Sequence, residues 1–197
     1  MEKIVNNYLD IIELKKILRT GWLEVGIPNE KVESVMDHIG GTVILSMLVN
    51  NYIDENLDMS KVYEMIAINE FKKLVNQKEI SINDNDDYLE SNVVEFINKL
   101  PGNDKILALY NEIKEGNTKE AKFVKMITKL ESDVQAKAYE KSGDFTLENA
   151  KKDIENYPEN LKEKLSNINK ASDGWLEYDK EYYNDFFNKL SDEVKKL

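Results

Sequence analysis

One imidazole and no thiol bound the chemistry open to this chain. His38 is the single histidine, and cysteine is absent from all 197 residues. Histidine is the commonest nitrogen donor to transition metals, and zinc sites draw on His, Cys, Asp and Glu. A catalytic metal centre here would therefore be built almost wholly from oxygen. Taken alone, one histidine on a helix face reads as a hydrogen-bonded core residue that needs no function. Acidic side chains outnumber basic ones, 38 to 27, for a net charge of −11. That excess repels a phosphate backbone, and no run of Lys and Arg with interleaved aromatics offsets it, so nucleic acid is not an expected partner.

The elements that must position His38 read as helices. Eight glycines and three prolines punctuate the chain, with 41% hydrophobic residues arranged at helical spacing between them. The spacing predicts a first helix over Glu2 to Leu18, burying Ile4, Leu9, Ile12, Leu14, Ile17 and Leu18. It predicts a second from Asn29, with Val35, His38, Thr42 and Leu45 on one stripe, and a third from Met59 to Val75. Ser81 to Asp87 reads as a surface loop, followed by a helix from Tyr88 to the Pro101-Gly102 turn and a shorter one to Lys114. Asn117-Thr118-Lys119-Glu120 resembles a capping box, in which Glu120 reaches back to the first amides, and opens a long helix to Lys141. Its stripe would use Val124, Ile127, Leu130, Val134 and Ala138. A last helix from Trp175 carries Trp175, Tyr178, Tyr182, Phe186 and Leu190 as an aromatic ridge.

Three segments, in order, resemble the HD-domain family in its 5'-deoxynucleotidase-like phosphohydrolase branch. The first is Arg19-Thr20-Gly21-Trp22 followed by Glu33-Ser34-Val35-Met36-Asp37-His38. The second is the apolar helix Val62 to Ile68 ending in Asn69-Glu70. The third is Glu120-Ala121 through Val124, Lys129-Leu130-Glu131 and Gln135-Ala136 to Tyr139-Glu140. The resemblance implies an all-α, HD-domain-like helical bundle, with its core in residues 1–142 and helices 143–197 packing on the same domain. It also implies that His38 is the first metal ligand and that Asn69, Glu70 and Thr128 occupy the other ligand positions around one centre. Arg19 and Trp22 fall where the family places substrate-facing residues.

The departures bear on chemistry. Asn69-Glu70 stands where the family has its His-Asp pair, and Thr128 where it has a late aspartate. Lys73 and Lys78 fall at acidic positions, the second of them catalytic in the family. A divalent ion activates water for phosphoester hydrolysis only when it is well held. Ammonium groups at Lys73 and Lys78 would oppose a cation, and either could replace it as counter-charge to Glu70. The expectation is a non-catalytic relative with no metal or other cofactor, which binds a nucleotide or another phosphorylated small molecule; Arg19 and Trp22 either hold that ligand, or Trp22 packs beside Leu23 under the loop and Arg19 caps the preceding carbonyls. The alternatives are an active phosphohydrolase with an oxygen-rich divalent-metal site, or a purely structural, partner-binding helical protein.

The longest apolar run, Gly40 to Val49, is too short to cross a bilayer, so no membrane association is expected. The first residues lack the basic and then apolar stretch of a secretory signal, and the absence of cysteine fits a cytoplasmic protein. The resemblance implies a homodimer, which the aromatic C-terminal helix could support and which composition does not show.

Overall fold

A computed structural model describes residues 1–75, 86–151 and 159–197. Twelve α-helices are assigned among them: α1 (Glu2–Ile11), α2 (Thr20–Glu24), α3 (Val35–Val49), α4 (Met59–Asn69), α5 (Phe71–Val75), α6 (Asp86–Lys99), α7 (Asn103–Glu115), α8 (Lys119–Ser142), α9 (Leu147–Lys151), α10 (Glu159–Ser166), α11 (Asp173–Asp179) and α12 (Asp185–Lys196). The fold is all-α, and no described helix is long and apolar enough to cross a membrane. The chain divides into two compact units, one of residues 1–21 and 33–125, the other of residues 22–32 and 126–197.

In the first unit, the expected helix over Glu2 to Leu18 is shorter. α1 stops at Ile11, a 3-10 turn follows over Ile12–Lys15, and Leu18 forms an isolated antiparallel bridge with Ser34. Ile4 and Leu9, expected inside, are exposed, while Leu14 is buried against Val35 and Leu74. α3 begins at Val35 and not near Asn29, because Ser34 supplies the cap: its Oγ accepts the Asp37 amide at 3.1 Å while the Asp37 carboxylate accepts the Ser34 amide at 2.9 Å. Such a reciprocal box satisfies two amides that the first helical turn leaves without partners. The apolar run Gly40 to Val49 lies within this helix.

The expected third helix is divided. α4 ends at Asn69, Glu70 sits at φ −89° and ψ 0°, and α5 starts at Phe71. That backbone region is sparsely populated and is where many site residues are found. Asp58 caps α4, accepting the Lys61 amide at 3.2 Å. Thr118 Oγ1 caps α8 by accepting the Ala121 amide at 3.2 Å, while Glu120, expected to reach back to the first amides, accepts the Asp58 amide at 3.1 Å. Glu90 of α6 gathers Lys72 of α5 with Tyr110 and Lys114 of α7, the last two at 2.8 and 2.7 Å.

In the second unit, Gly143, at φ 79°, ends α8 in a left-handed conformation that glycine adopts without steric cost. Ile127 and Leu130 of α8 are buried, but Val134 and Ala138 are exposed, and Asp133, Ala136 and Lys137 take the inward face. The expected last helix is interrupted by the 3-10 turn Lys180–Tyr182, so its aromatics share no continuous ridge. Trp175, Tyr178, Tyr182, Phe186 and Leu190 are half-buried, and Leu176, Phe187 and Val194 carry the burial.

Candidate functional site

The backbone of the first unit sets Arg19 opposite Glu33. The Arg19 amide donates to the Glu33 carbonyl at 3.0 Å, and the Val35 amide to the Ile17 carbonyl at 2.8 Å. Side chains follow: Arg19 Nη1 stands 4.0 Å from Glu33 Oε1. One residue later the Ser34 box starts α3, and the His38 amide closes its first turn on the Ser34 carbonyl at 3.1 Å. His38 is buried, and a ring nitrogen lies within 4.8 Å of a Glu33 carboxylate oxygen. The helix break at Glu70 supplies the remaining groups. Lys73 Nζ stands 2.5 Å from Glu70 Oε2, and Asn69 donates its side-chain amide to Glu70 Oε1 at 2.9 Å.

Arg19, His38, Asn69, Glu70 and Lys73 therefore meet in one unit, joined by Glu33. Burial disfavours the charged form of His38 and holds its pKa well below the ordinary value; Arg19 and Lys73 push the same way, and Glu70 opposes them. Burial would raise the Glu70 carboxyl, but neighbouring positive charge, Lys73 foremost, outweighs it and brings the pKa down to about 2. The carboxyl groups of Glu33 and Glu70, the basic side chains of Arg19 and Lys73 and the His38 imidazole thus form one buried charged group. Glu70 is engaged by an ammonium and an amide, and a dication beside Lys73 and Arg19 would meet like charge. Glu33 and His38 retain a carboxylate and an imidazole close enough to share a cation.

The other sequence candidates do not belong to this unit's described residues. Lys78 is outside the described residues. Trp22 belongs to the second unit, where it is buried in an aromatic cluster: Trp175 stacks on it at 4.8 Å between ring centroids, with Tyr139 edge-on at 5.3 Å and Phe145 at 6.4 Å. Thr128, in the same unit, has a buried Oγ1 with no hydrogen-bond partner among the described residues.

Two groups escaped sequence reasoning. Glu33 was legible only as part of a motif; its place directly before the capping serine is the signal that could have marked it. The second is a buried polar set on α8. Asp133 accepts Tyr183 Oη at 2.8 Å and Ser191 Oγ at 3.4 Å. Burial, with help from the Asp179 charge, raises its pKa to about 8. Lys129 Nζ pairs with Asp179 at 2.6 Å and lies 4.3 Å from the Tyr182 ring centroid. Buried Lys137 pairs with Glu140 at 2.6 Å, and Glu140 also accepts the Ser172 amide and hydroxyl, both at 2.9 Å. A helical stripe read by hydrophobicity passes over such positions.

The chain matches the HD domain over residues 11–169. It is 32% identical over 153 residues to a Dictyostelium discoideum protein named 5'-deoxynucleotidase HDDC2, covering 70% of this chain and 80% of that one. It is 31% identical over 146 residues to the Schizosaccharomyces pombe 5'-deoxynucleotidase hdd1, covering 68% and 71% of the two chains. Among solved structures, a predicted metal-dependent phosphohydrolase from Magnetospirillum magnetotacticum shares the fold at a TM-score of 0.61 and 17% identity, over 99% of this chain and 95% of its own. With this match and these relatives, the chain belongs to the HD-domain family.

Proposed function

We propose that this HD-domain protein binds a phosphorylated small molecule, a nucleotide in the first instance, and does not hydrolyse it. The observation that carries the reading is the ion pair between Lys73 and Glu70. Glu70 is the one carboxylate left in the family's His-Asp position, and an ammonium occupies the place beside it where hydrolysis by relatives of this class would need a cation that can activate water. Arg19 and Lys73 add two positive charges near a neutral imidazole, a combination suited to phosphate oxygens: the guanidinium offers a planar fork and the ammonium a point charge. The relatives' printed names point to deoxynucleoside monophosphates as the first ligands to try.

The test uses the full chain with deoxyadenosine monophosphate. Calorimetry should detect binding that weakens in Arg19→Gln, while phosphate release stays at background with added magnesium, manganese or cobalt. Turnover by the unmodified protein, abolished in Glu70→Ala, would sink the reading. One observation favours that second reading, an active phosphohydrolase: the Glu33 carboxylate and His38 imidazole remain within 4.8 Å of each other. Elemental analysis showing a metal that is lost in His38→Ala would select it.

A further inference from the structure

From its cap onward, α3 carries a buried polar side chain at every fourth position: Ser34, His38, Thr42 and Ser46. Residues four apart on a helix lie one above another, so these four line one inward stripe. Their hydroxyls are not used alike. Ser34 Oγ donates to the Asp37 carboxylate at 2.7 Å while accepting the Asp37 amide, and Ser46 Oγ donates to the Val43 carbonyl at 2.7 Å. Thr42 is 1% exposed, and its Oγ1 has no hydrogen-bond partner among the described residues.

A mid-helix threonine ordinarily turns its hydroxyl back onto the carbonyl three or four residues earlier. Thr42 does not, and a buried hydroxyl left unpaired costs the fold free energy that a valine of the same branched shape would not. Packing within the chain gives no reason for a hydroxyl here. Its position gives one. Side chains on a helix tilt towards its N-terminus, so Thr42 extends over the turn that carries His38. His38 in turn lies within the fields of Arg19, Glu70 and Lys73. The hydroxyl thus stands one turn, ~5.4 Å along the axis, from the cations proposed to hold a phosphate.

On the phosphate-binding reading of that site, we propose that Thr42 Oγ1 hydrogen-bonds the sugar 3'-hydroxyl of a nucleotide whose 5'-phosphate lies against Arg19 and Lys73. The span fits, because a 5'-phosphate and a 3'-hydroxyl stand across one furanose ring, a separation on the order of one helical turn. The chemistry fits as well. A threonine hydroxyl has one proton and two lone pairs, as a sugar hydroxyl has, so each can serve the other in either direction. A site that pairs a ligand hydroxyl rejects the analogue lacking it, since the protein group is again left buried and alone. Thr42 makes the site selective for nucleotides with a free 3'-hydroxyl.

Calorimetry of the full chain with deoxyadenosine monophosphate and 2',3'-dideoxyadenosine monophosphate tests this. The native protein should bind the first ~10-fold more tightly, the worth of one hydrogen bond. Thr42→Val should bind both alike, at the dideoxy level, and melt no lower than the native protein when unliganded; Thr42→Ser should keep the preference. Thr42→Ala replaces Thr42→Val if the latter does not fold. Equal affinities in the native protein, a Thr42→Val variant that weakens both ligands by one factor, or one that melts lower would each overturn the proposal. A native protein that binds neither nucleotide defeats the phosphate-binding reading itself, and this proposal with it. Binding that weakens in Arg19→Gln but ignores the 3'-hydroxyl leaves that reading standing and removes only the role of Thr42.

Discussion

A carboxylate as buried as Glu70 stays ionised only where a cation is held against it, and Lys73 is that cation. Removing one partner of a buried pair leaves the other charge unsolvated, so Lys73→Gln should cost about 3 kcal/mol in urea unfolding at neutral pH. Lys73→Met with Glu70→Gln, which removes both charges, should recover most of it. The sign with pH follows from the depressed Glu70 pKa. Its folded value of about 2 lies below the ordinary 4.5, so its contribution is present above pH 4.5 and is lost as the pH falls towards 2. Stability should therefore fall with acid across that window in the native chain and fall less in Glu70→Gln. His38 gives a second readout, since a single histidine yields a single titrating imidazole in proton NMR. Its titration should move up in Lys73→Gln and down in Glu70→Gln, because Lys73 disfavours and Glu70 favours the imidazolium. No movement in either variant would contradict the arrangement of these charges.

At the scale of elements, α8 shows the conflict between a helix's apolar stripe and the polar groups it is made to bury. Asp133 is fully buried, Oδ2 takes two hydroxyl donors, and Oδ1 has no hydrogen-bond partner among the described residues. Its pKa is raised from 3.8 to about 8, so the folded state holds a proton that the unfolded chain releases. The contribution is fully present below pH 3.8 and is lost as the pH rises through about 8. Asp133→Asn keeps the shape and removes the ionisation. It should flatten the stability profile over that window and be the more stable protein at its alkaline end, by differential scanning calorimetry. If the native and variant profiles run parallel there, Asp133 is not protonated in the folded state.

Over the whole molecule, membership of the HD-domain family fixes an architecture, while the residues at the family's ligand positions fix what chemistry it supports. The proposed loss of metal chemistry has two parts, missing donors and added positive charge, and they can be separated. Asn69→His with Glu70→Asp returns the residue types of the family pair but keeps Lys73. Calorimetry with manganese should then detect little binding. Adding Lys73→Glu should bring binding into the micromolar range, since the repelling ammonium is gone and a further carboxylate is supplied. Tight binding already with Lys73 in place would make the donors, not the charge, the cause.

By itself the sequence determined the all-α class, since helical spacing and sparse Gly and Pro are local properties of the chain. Through the family resemblance it also offered Lys73, or Lys78, as a counter-charge to Glu70. Helix limits were decided by contacts that spacing does not encode. The Ser34–Asp37 box moved the start of α3 to the residue that sets His38, and the break at Glu70 turned a surface-like helix end into a buried carboxylate. Ile4 and Leu9 had the spacing of core residues yet lie exposed, because periodicity reports that a face is apolar and not what covers it. Asp133 and Lys137 stand outside the hydrophobic stripe and are buried, because neutralising each required partners that only folding brings near: Tyr183 and Ser191 from distant sequence, and Glu140 one turn away. Glu33 beside His38 was settled in the same way, by the Leu18–Ser34 bridge, a pairing of two segments that no local pattern announces.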